Sequence, residues 1–455
     1  MTKYEIKDGE GVIPQGTTKI ESFGFAEKAE LTNVVIPDSV TEIEYSAFKG
    51  CTGLTSIVIP DSVTEIGTYA FEDCTGLTSI IIGKSLAKIG KWAFFGCTSI
   101  VNISVLEGNE TFDSRNDCNA IVERATNKIV LGCKSTVIPD SVTEIGNEAF
   151  RGCVGLSSID LPASILTIGE GAFRECLAIT NIGIPDSVTK VERWAFWGCA
   201  ALANIVVSEG NKVYDSRNNC NAIIETATNK MIVGLSSTII PDSVTKLDDY
   251  AFVGCKGLTS IVIPDSVTAI GNEAFCDCKD LTGIVIPNSV TEIGESAFYF
   301  CEELTSIVIP NYVTEICVNT FHGCENLISV AIPDSVTTIG DGAFSDCSGL
   351  TEIVVPCSVT EMGDATFAGC KGMKSIVIQG VIKKLGYNAF TGCEALETVT
   401  LPAGISKIDK TAFSLCKSLK TINVPAKKAD YYKKRLPEEL HGLIVELPAE
   451  KKTKK

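Results

Sequence analysis

Along most of the chain the apolar residues follow two spacings in succession, and the pair of spacings returns every 23 residues. The stretch Leu54–Leu77 reads LTSIVIPDSVTEIGTYAFEDCTGL. Leu54, Ile57 and Ile59 have the spacing of a short strand with one buried side. Pro60, Asp61 and Ser62 end it, because proline lacks an N–H and Asp and Ser favour turns. Val63 and Ile66 come next, three apart, and Gly67 follows. Ala70, Phe71 and Cys74 then fit a single helical or 3-10 turn with one face inward. A unit this short cannot bury its apolar face alone and requires a neighbour on each side.

Proline marks the period independently. Pro14, Pro37 and Pro60 are 23 apart, as are Pro139, Pro162 and Pro185, and the step runs again from Pro241 to Pro356. Gln379 holds the next place, followed by Pro402 and Pro425, so only Pro437 and Pro448 leave the lattice. Phe keeps the same step in fifteen units, from Phe25 to Phe413. The 455 residues would otherwise suggest about three domains, but a fixed period in this range points to one solenoid.

Two intervals, Gly83 to Pro139 and Pro185 to Pro241, measure 56, which is one step plus a 33-residue variant. In these variants NAIVERATNKIVLG and NAIIETATNKMIVG read as hairpins joined at Ala-Thr-Asn-Lys. Trp92 and Trp194 hold the same place in the unit, and each immediately precedes a variant. The expected organisation is an N-terminal cap over 1–13, a solenoid over 14–425 with long turns at about 106–138 and 208–240, and a C-terminal cap and tail over 426–455. Within the last segment ADYYKKRL reads as a short helix, HGLIVEL as a closing strand, and Lys451–Lys455 as a frayed basic tail. About seventeen turns at roughly 4.8 Å each would span about 80 Å.

LTSIVIPDSVTEIG followed by AF..C, together with the longer DSRN.CNAI....TN unit, resembles the BspA-type leucine-rich repeat family over about residues 12–425. The resemblance implies an α/β fold class, a right-handed leucine-rich solenoid with a parallel β-sheet on one face and short helical or 3-10 turns elsewhere. It also implies protein binding or adhesion at a cell surface or in secreted form, with a host or extracellular-matrix protein as the kind of partner. The repeat itself builds a scaffold and specifies no binding site.

Composition narrows the function classes. The 39 Lys and Arg against 56 Asp and Glu leave a net charge of −17, which opposes a nucleic-acid ligand. No apolar run approaches the roughly 18 residues of a membrane span. The amino terminus shows no basic stretch leading into an apolar core. That absence and the twenty cysteines favour a cytoplasmic setting, against the surface setting the resemblance implies, and both stay open.

Candidate chemistry is thin. Fourteen cysteines, from Cys51 to Cys416, sit three residues after the repeat Phe, as a column of small buried thiols would. Cys276, Cys278, Cys301 and His322 raise a metal cluster whose side chains would have to come from different faces, so no metal or cofactor is expected. Ser187–Lys190 and Ser243–Lys246 match SxxK, yet they are repeat positions with Lys in place of Glu. The two histidines, His322 and His441, lie far apart, and no enzyme is expected.

What remains is the outer face of the strands. Its central positions include Val35, Val58, Ile81, Ile239, Val262, Val285, Val308, Ala331, Val354 and Val377. Two residues earlier stand Ser260, Ser306, Ser329 and Ser375, and Tyr312 adds an aromatic edge. This uncharged strip is either ordinary strand composition or a partner-binding face. A monomer that binds a protein partner is the leading expectation, and a passive spacer is the alternative.

Overall fold

The structure, a computed structural model, describes residues 4–448; the expected tail Lys451–Lys455 lies outside the described residues. The chain divides into two compact units, Met1–Asp215 and Ser216–Lys455. Each is a stack of coils, one per repeat.

In the first unit the strand Ser56–Ile59 pairs in parallel with Ser79–Ile82, which pairs in turn with Asn102–Val105. The register is the sequence period: Ile57 faces Ile80, and Val58 faces Ile81. Leu54, Ile57 and Ile59 are buried and Val58 is exposed, as the alternation requires. After Pro60 the Val63 N–H closes a turn onto the Pro60 carbonyl at 3.1 Å. A second parallel sheet then appears, built from Lys19–Ile20, Glu42–Ile43, Glu65–Ile66 and Lys88–Ile89. Two-residue strands are too short to leave an alternating pattern, so a sheet on one face was all that the sequence could announce.

The Ala-Phe segment is neither α-helical nor 3-10. Ala70, Glu72 and Cys74 donate their N–H groups three residues back, to Gly67, Tyr69 and Phe71. The intervening Tyr69, Phe71 and Asp73 donate instead to the next coil, to the carbonyls of Lys91, Ala93 and Phe95 at 3.2, 2.7 and 2.7 Å. Tyr69 and Asp73 are left-handed (φ 59° and 56°), which turns alternate N–H groups outward along the stack. A helix would consume all of these donors internally. Helix among the described residues is confined to Ala429–Lys433 and three 3-10 segments, Arg115–Asp117, Arg217–Asn219 and Glu438–Leu443. The expected α/β class with helical turns therefore gives way to a parallel β-solenoid of stacked coils with few helices.

The Phe column is continuous within each run of standard coils. Phe25, Phe48, Phe71 and Phe94 stack with centroids 5.0–5.1 Å apart. In the second unit the column runs from Phe252 to Phe413. The column cysteines have a task beyond packing. Cys74 Sγ donates to the Phe48 carbonyl at 3.1 Å and Cys301 Sγ to that of Phe275 at 3.2 Å, a bond repeated along both units. Threonines form further ladders: Thr64 Oγ1 donates to the Thr41 carbonyl and Thr78 Oγ1 to that of Thr55.

The variant coils are hairpins where the pattern placed them. Ile121–Glu123 pairs antiparallel with Lys128–Leu131, which continues in parallel to Glu144–Ile145. The second unit repeats this with Ala222–Glu225 and Lys230–Gly234. Buried Asn109 anchors the first hairpin, donating to the Gly83 and Leu86 carbonyls and accepting from the Thr111 and Phe112 N–H groups. Asp113 holds Arg115 through two bonds and Arg124 through a third contact at 3.1 Å. Gly132 is obligatory: a Cβ there would lie 2.1 Å from the Phe150 ring, and at Gly234 the Phe252 ring sets the same limit.

At the amino end Glu5–Lys7 and Glu10–Val12 form a hairpin, and Tyr4 stacks on Phe25 at 4.8 Å. At the other end the helix Ala429–Lys433 buries Tyr432, and Ile444–Glu446 adds a last parallel strand.

Burial pushes the Cys153, Cys199 and Cys416 thiols up to about 12, and several others further. Cys357 is exposed. A chromogenic disulfide at pH 8 is expected to label Cys357 fast and the column thiols only after unfolding, and in denaturant the count should be the same with or without reductant. Gly132→Ala is expected to destabilise the first unit by about 1–3 kcal/mol through overpacking, read as a lowered thermal midpoint, while Gly183→Ala, which meets nothing within 4 Å, should not.

Candidate functional site

The strip of outward residues is most developed in the second unit. Ser260–Val262, Gly283–Val285, Ser306–Val308 and Ser329–Ala331 form one parallel sheet in that order. Val262 faces Val285 and Val308 faces Ala331, with Ser260, Gly283, Ser306 and Ser329 in line beside them. Val262, Val285 and Val308 are 82%, 79% and 70% exposed, and Ser260, Ser306, Ser329 and Tyr312 are exposed too. Ile239, at 77%, flanks an open depression shared with Val262, Asp242 and Asp265. On the following sheet Val354 is exposed, whereas Ser375 and Val377 are half-buried. There the register continues Val354, Val377, Thr400, Asn423, so the apolar line turns polar toward the carboxyl end.

The side chains raised as catalytic or metal candidates do not converge. Ser187 Oγ donates to the Ile165 carbonyl at 2.6 Å, and Lys190 pairs with Glu192. Ser243 accepts from Arg217, and Lys246 lies 3.8 Å from Asp248. Cys278 and Cys301 are occupied by the carbonyls of Phe252 and Phe275. His322 stacks on Tyr299 at 4.7 Å and lies 3.8 Å from Asp346. Among the described residues no three His, Cys, Asp or Glu side chains are grouped as a metal site would need, and no helix is long and apolar enough to cross a membrane.

One feature of the first unit escaped the sequence reading. Phe23, Tyr45, Tyr69 and Trp92 form an outer aromatic ladder with centroids 5.1–5.8 Å apart. It ends at Trp92, where a cleft of about 220 Å³ opens, lined by Trp92, Phe94 and Phe95 on one wall and by Leu131, Glu148 and Arg151 on the other. Arg151 lies over the Phe95 ring at 4.2 Å and binds Glu148 at 3.0 Å. Lys91 Nζ stands 3.8 Å above the Trp92 ring. The signal available beforehand was the coincidence of Trp92 with the broken period, which marks the place but not the cavity.

These coils are those of a known class of repeat protein. The pattern described as "BspA type Leucine rich repeat region (6 copies)" matches residues 12–123, 130–233, 222–350 and 314–434. The chain belongs to the BspA-type leucine-rich repeat family. It is similar to a leucine-rich cell surface protein of Faecalibacterium prausnitzii, with 29% identity over 75% of this chain and 83% of that one, and a TM-score of 0.48. A leucine-rich repeat protein of Bacteroides ovatus shares 26% identity over 98% of both chains with a TM-score of 0.43. The pneumococcal vaccine antigen PcpA shares 16% over 98% of this chain and 97% of that one, with a TM-score of 0.40. No curated protein sequence matches the chain.

Burial lowers the His322 pKa below the usual 6.5, against the opposing pull of Asp346. The unfolded chain then binds the proton more readily than the folded one, so stability present above pH 6.5 is lost as the pH falls below it. His322→Phe is expected to flatten the fall in thermal midpoint as the pH drops below about 6.5; an unchanged slope would remove His322 as its source.

Proposed function

We propose that the chain is a non-enzymatic protein-binding module that acts at a cell surface and engages its partner through the sheet face of the second unit. The observation that carries this reading is the line of Val262, Val285 and Val308, held in register on one rigid sheet at 70–82% exposure. Adjacent exposed valines with no charge between them form the kind of apolar patch that marks contact surfaces. Ser260, Ser306 and Ser329 supply hydroxyls along one edge, and Tyr312 supplies an aromatic anchor. Half-buried Ser375 and Val377, with Thr400 and Asn423 beyond, bound the patch on the carboxyl side. Membership of the family, with a leucine-rich cell surface protein among the similar structures, supports the surface setting, and an extracellular-matrix or host protein is the partner we propose for it.

The spacer reading draws on a different observation: the coils between Pro241 and Pro356 are nearly interchangeable in sequence, as selection for length alone would leave them. The two readings part in a binding assay on immobilised, purified extracellular-matrix proteins. The intact chain is expected to bind at least one saturably. The variant Val262→Lys, Val285→Lys, Val308→Lys should lose that binding by about a hundredfold or more, since three central positions would each carry a charge into the interface, with an unchanged circular dichroism spectrum. Retained binding by the folded variant would exclude this face, and no binding by either chain would favour the spacer.

A further inference from the structure

The cleft beside Trp92 lies where the hydrogen-bonding pattern of the standard coils stops. Tyr69, Phe71 and Asp73 donate to the carbonyls of Lys91, Ala93 and Phe95 in the next coil. The equivalent donors one coil later begin with Trp92 and Phe94. Trp92 has the same φ, 59°, as Tyr69, so its N–H is turned the same way along the stack. The coil that follows is the variant, whose Lys128–Leu131 strand and Gly132 replace the left-handed turn. Ala93 and Phe95 close their turns onto Gly90 and Trp92, but the Trp92 and Phe94 N–H groups have no hydrogen-bond acceptor among the described residues. An unmet backbone donor beside a cavity is rare in a folded chain and invites an acceptor.

Three other patterns end at the same point. The second sheet stops at Lys88–Ile89, which pairs with Glu65–Ile66 and, among the described residues, with no strand beyond it. The outer aromatic ladder stops at Trp92. Charge is also left over: Glu148 is paired with Arg151 and Glu170 with Arg193, whereas Lys91 has no carboxylate partner among the described residues. The cleft thus offers two alternate N–H donors, a half-exposed indole and one uncompensated ammonium. Two coils earlier, the donors of Ser46, Phe48 and Gly50 are met by the turn Gly67–Asp73, which supplies the Thr68, Ala70 and Glu72 carbonyls, the Tyr69 ring against Tyr45 and the Glu72 carboxylate on Lys49.

We infer that the cleft is a second binding site, which takes a short peptide segment of a protein partner carrying an aromatic residue beside a carboxylate. The segment's carbonyls accept from Trp92 and Phe94, its ring extends the ladder on Trp92, and its carboxylate meets Lys91. The cleft lies in the first unit and the valine strip in the second, so this site stands or falls apart from the sheet face.

A suitable probe is a fluorescein-labelled, amidated peptide with the sequence of Gly67–Asp73, GTYAFED, which carries every group the cleft calls for. Anisotropy titration with the full chain is expected to show saturable binding that weakens with added salt. Trp92→Ala should weaken it about tenfold or more, as loss of an aromatic anchor does. Lys91→Glu, an exposed change that leaves the coil intact, should weaken it and remove the salt dependence. A peptide with Ala in place of its Tyr and Phe should not compete. The absence of saturation below about 1 mM, or binding by a folded Lys91→Glu variant equal to that of the parent chain, would overturn the proposal.

Discussion

Every coil in this protein holds the next through backbone groups that a helix would have used on itself. In the Ala-Phe segment left-handed residues such as Tyr69 and Asp73 turn alternate N–H groups toward the following coil, where Lys91, Ala93 and Phe95 receive them. A left-handed conformation costs an ordinary residue about 1–2 kcal/mol, a cost that the bonds accepted by the neighbouring coil offset. The same dependence governs the Phe column, the thiol-to-carbonyl bonds and the threonine ladders. None of these exists within a single coil, and the energetics are therefore those of a chain of nearest-neighbour contacts.

The variant coils show what happens when that rule is suspended. They begin a new sheet through a hairpin, substitute Gly132 or Gly234 for a side chain against the next Phe, and recruit Asn109 and Asp113 to hold the longer loop. Standard coils are closed on both sides, whereas the coil before the first variant presents donors, an edge strand and Trp92 to a cavity. The valine strip is different in kind: it follows from ordinary coils and gains its reach from repetition. One surface arises from the period and the other from its interruption.

The family membership and the geometry agree on a scaffold. The serines of the SxxK positions are tied to backbone or to arginine, and the column thiols are buried and engaged with Phe carbonyls. Recognition through outward-facing side chains is the role we propose for such a framework.

The sequence by itself determined the coil length, the strand, the buried Leu, Ile, Phe and Cys positions, the two hairpins and the outward valines, because each repeats often enough to be read as a period. Leu54, Ile57, Ile59 and Phe71 could be placed inside from spacing alone. Tertiary structure decided the rest. The two-residue second sheet and the left-handed turns leave no periodicity, since their hydrogen bonds run to a residue about 22 positions away and not to a local partner. The Trp92 cleft could be located only once the coils were stacked, because an unmet N–H is a property of what lies opposite it. Sequence spacing reports which residues share a face; only packing shows where a face has been left without a neighbour.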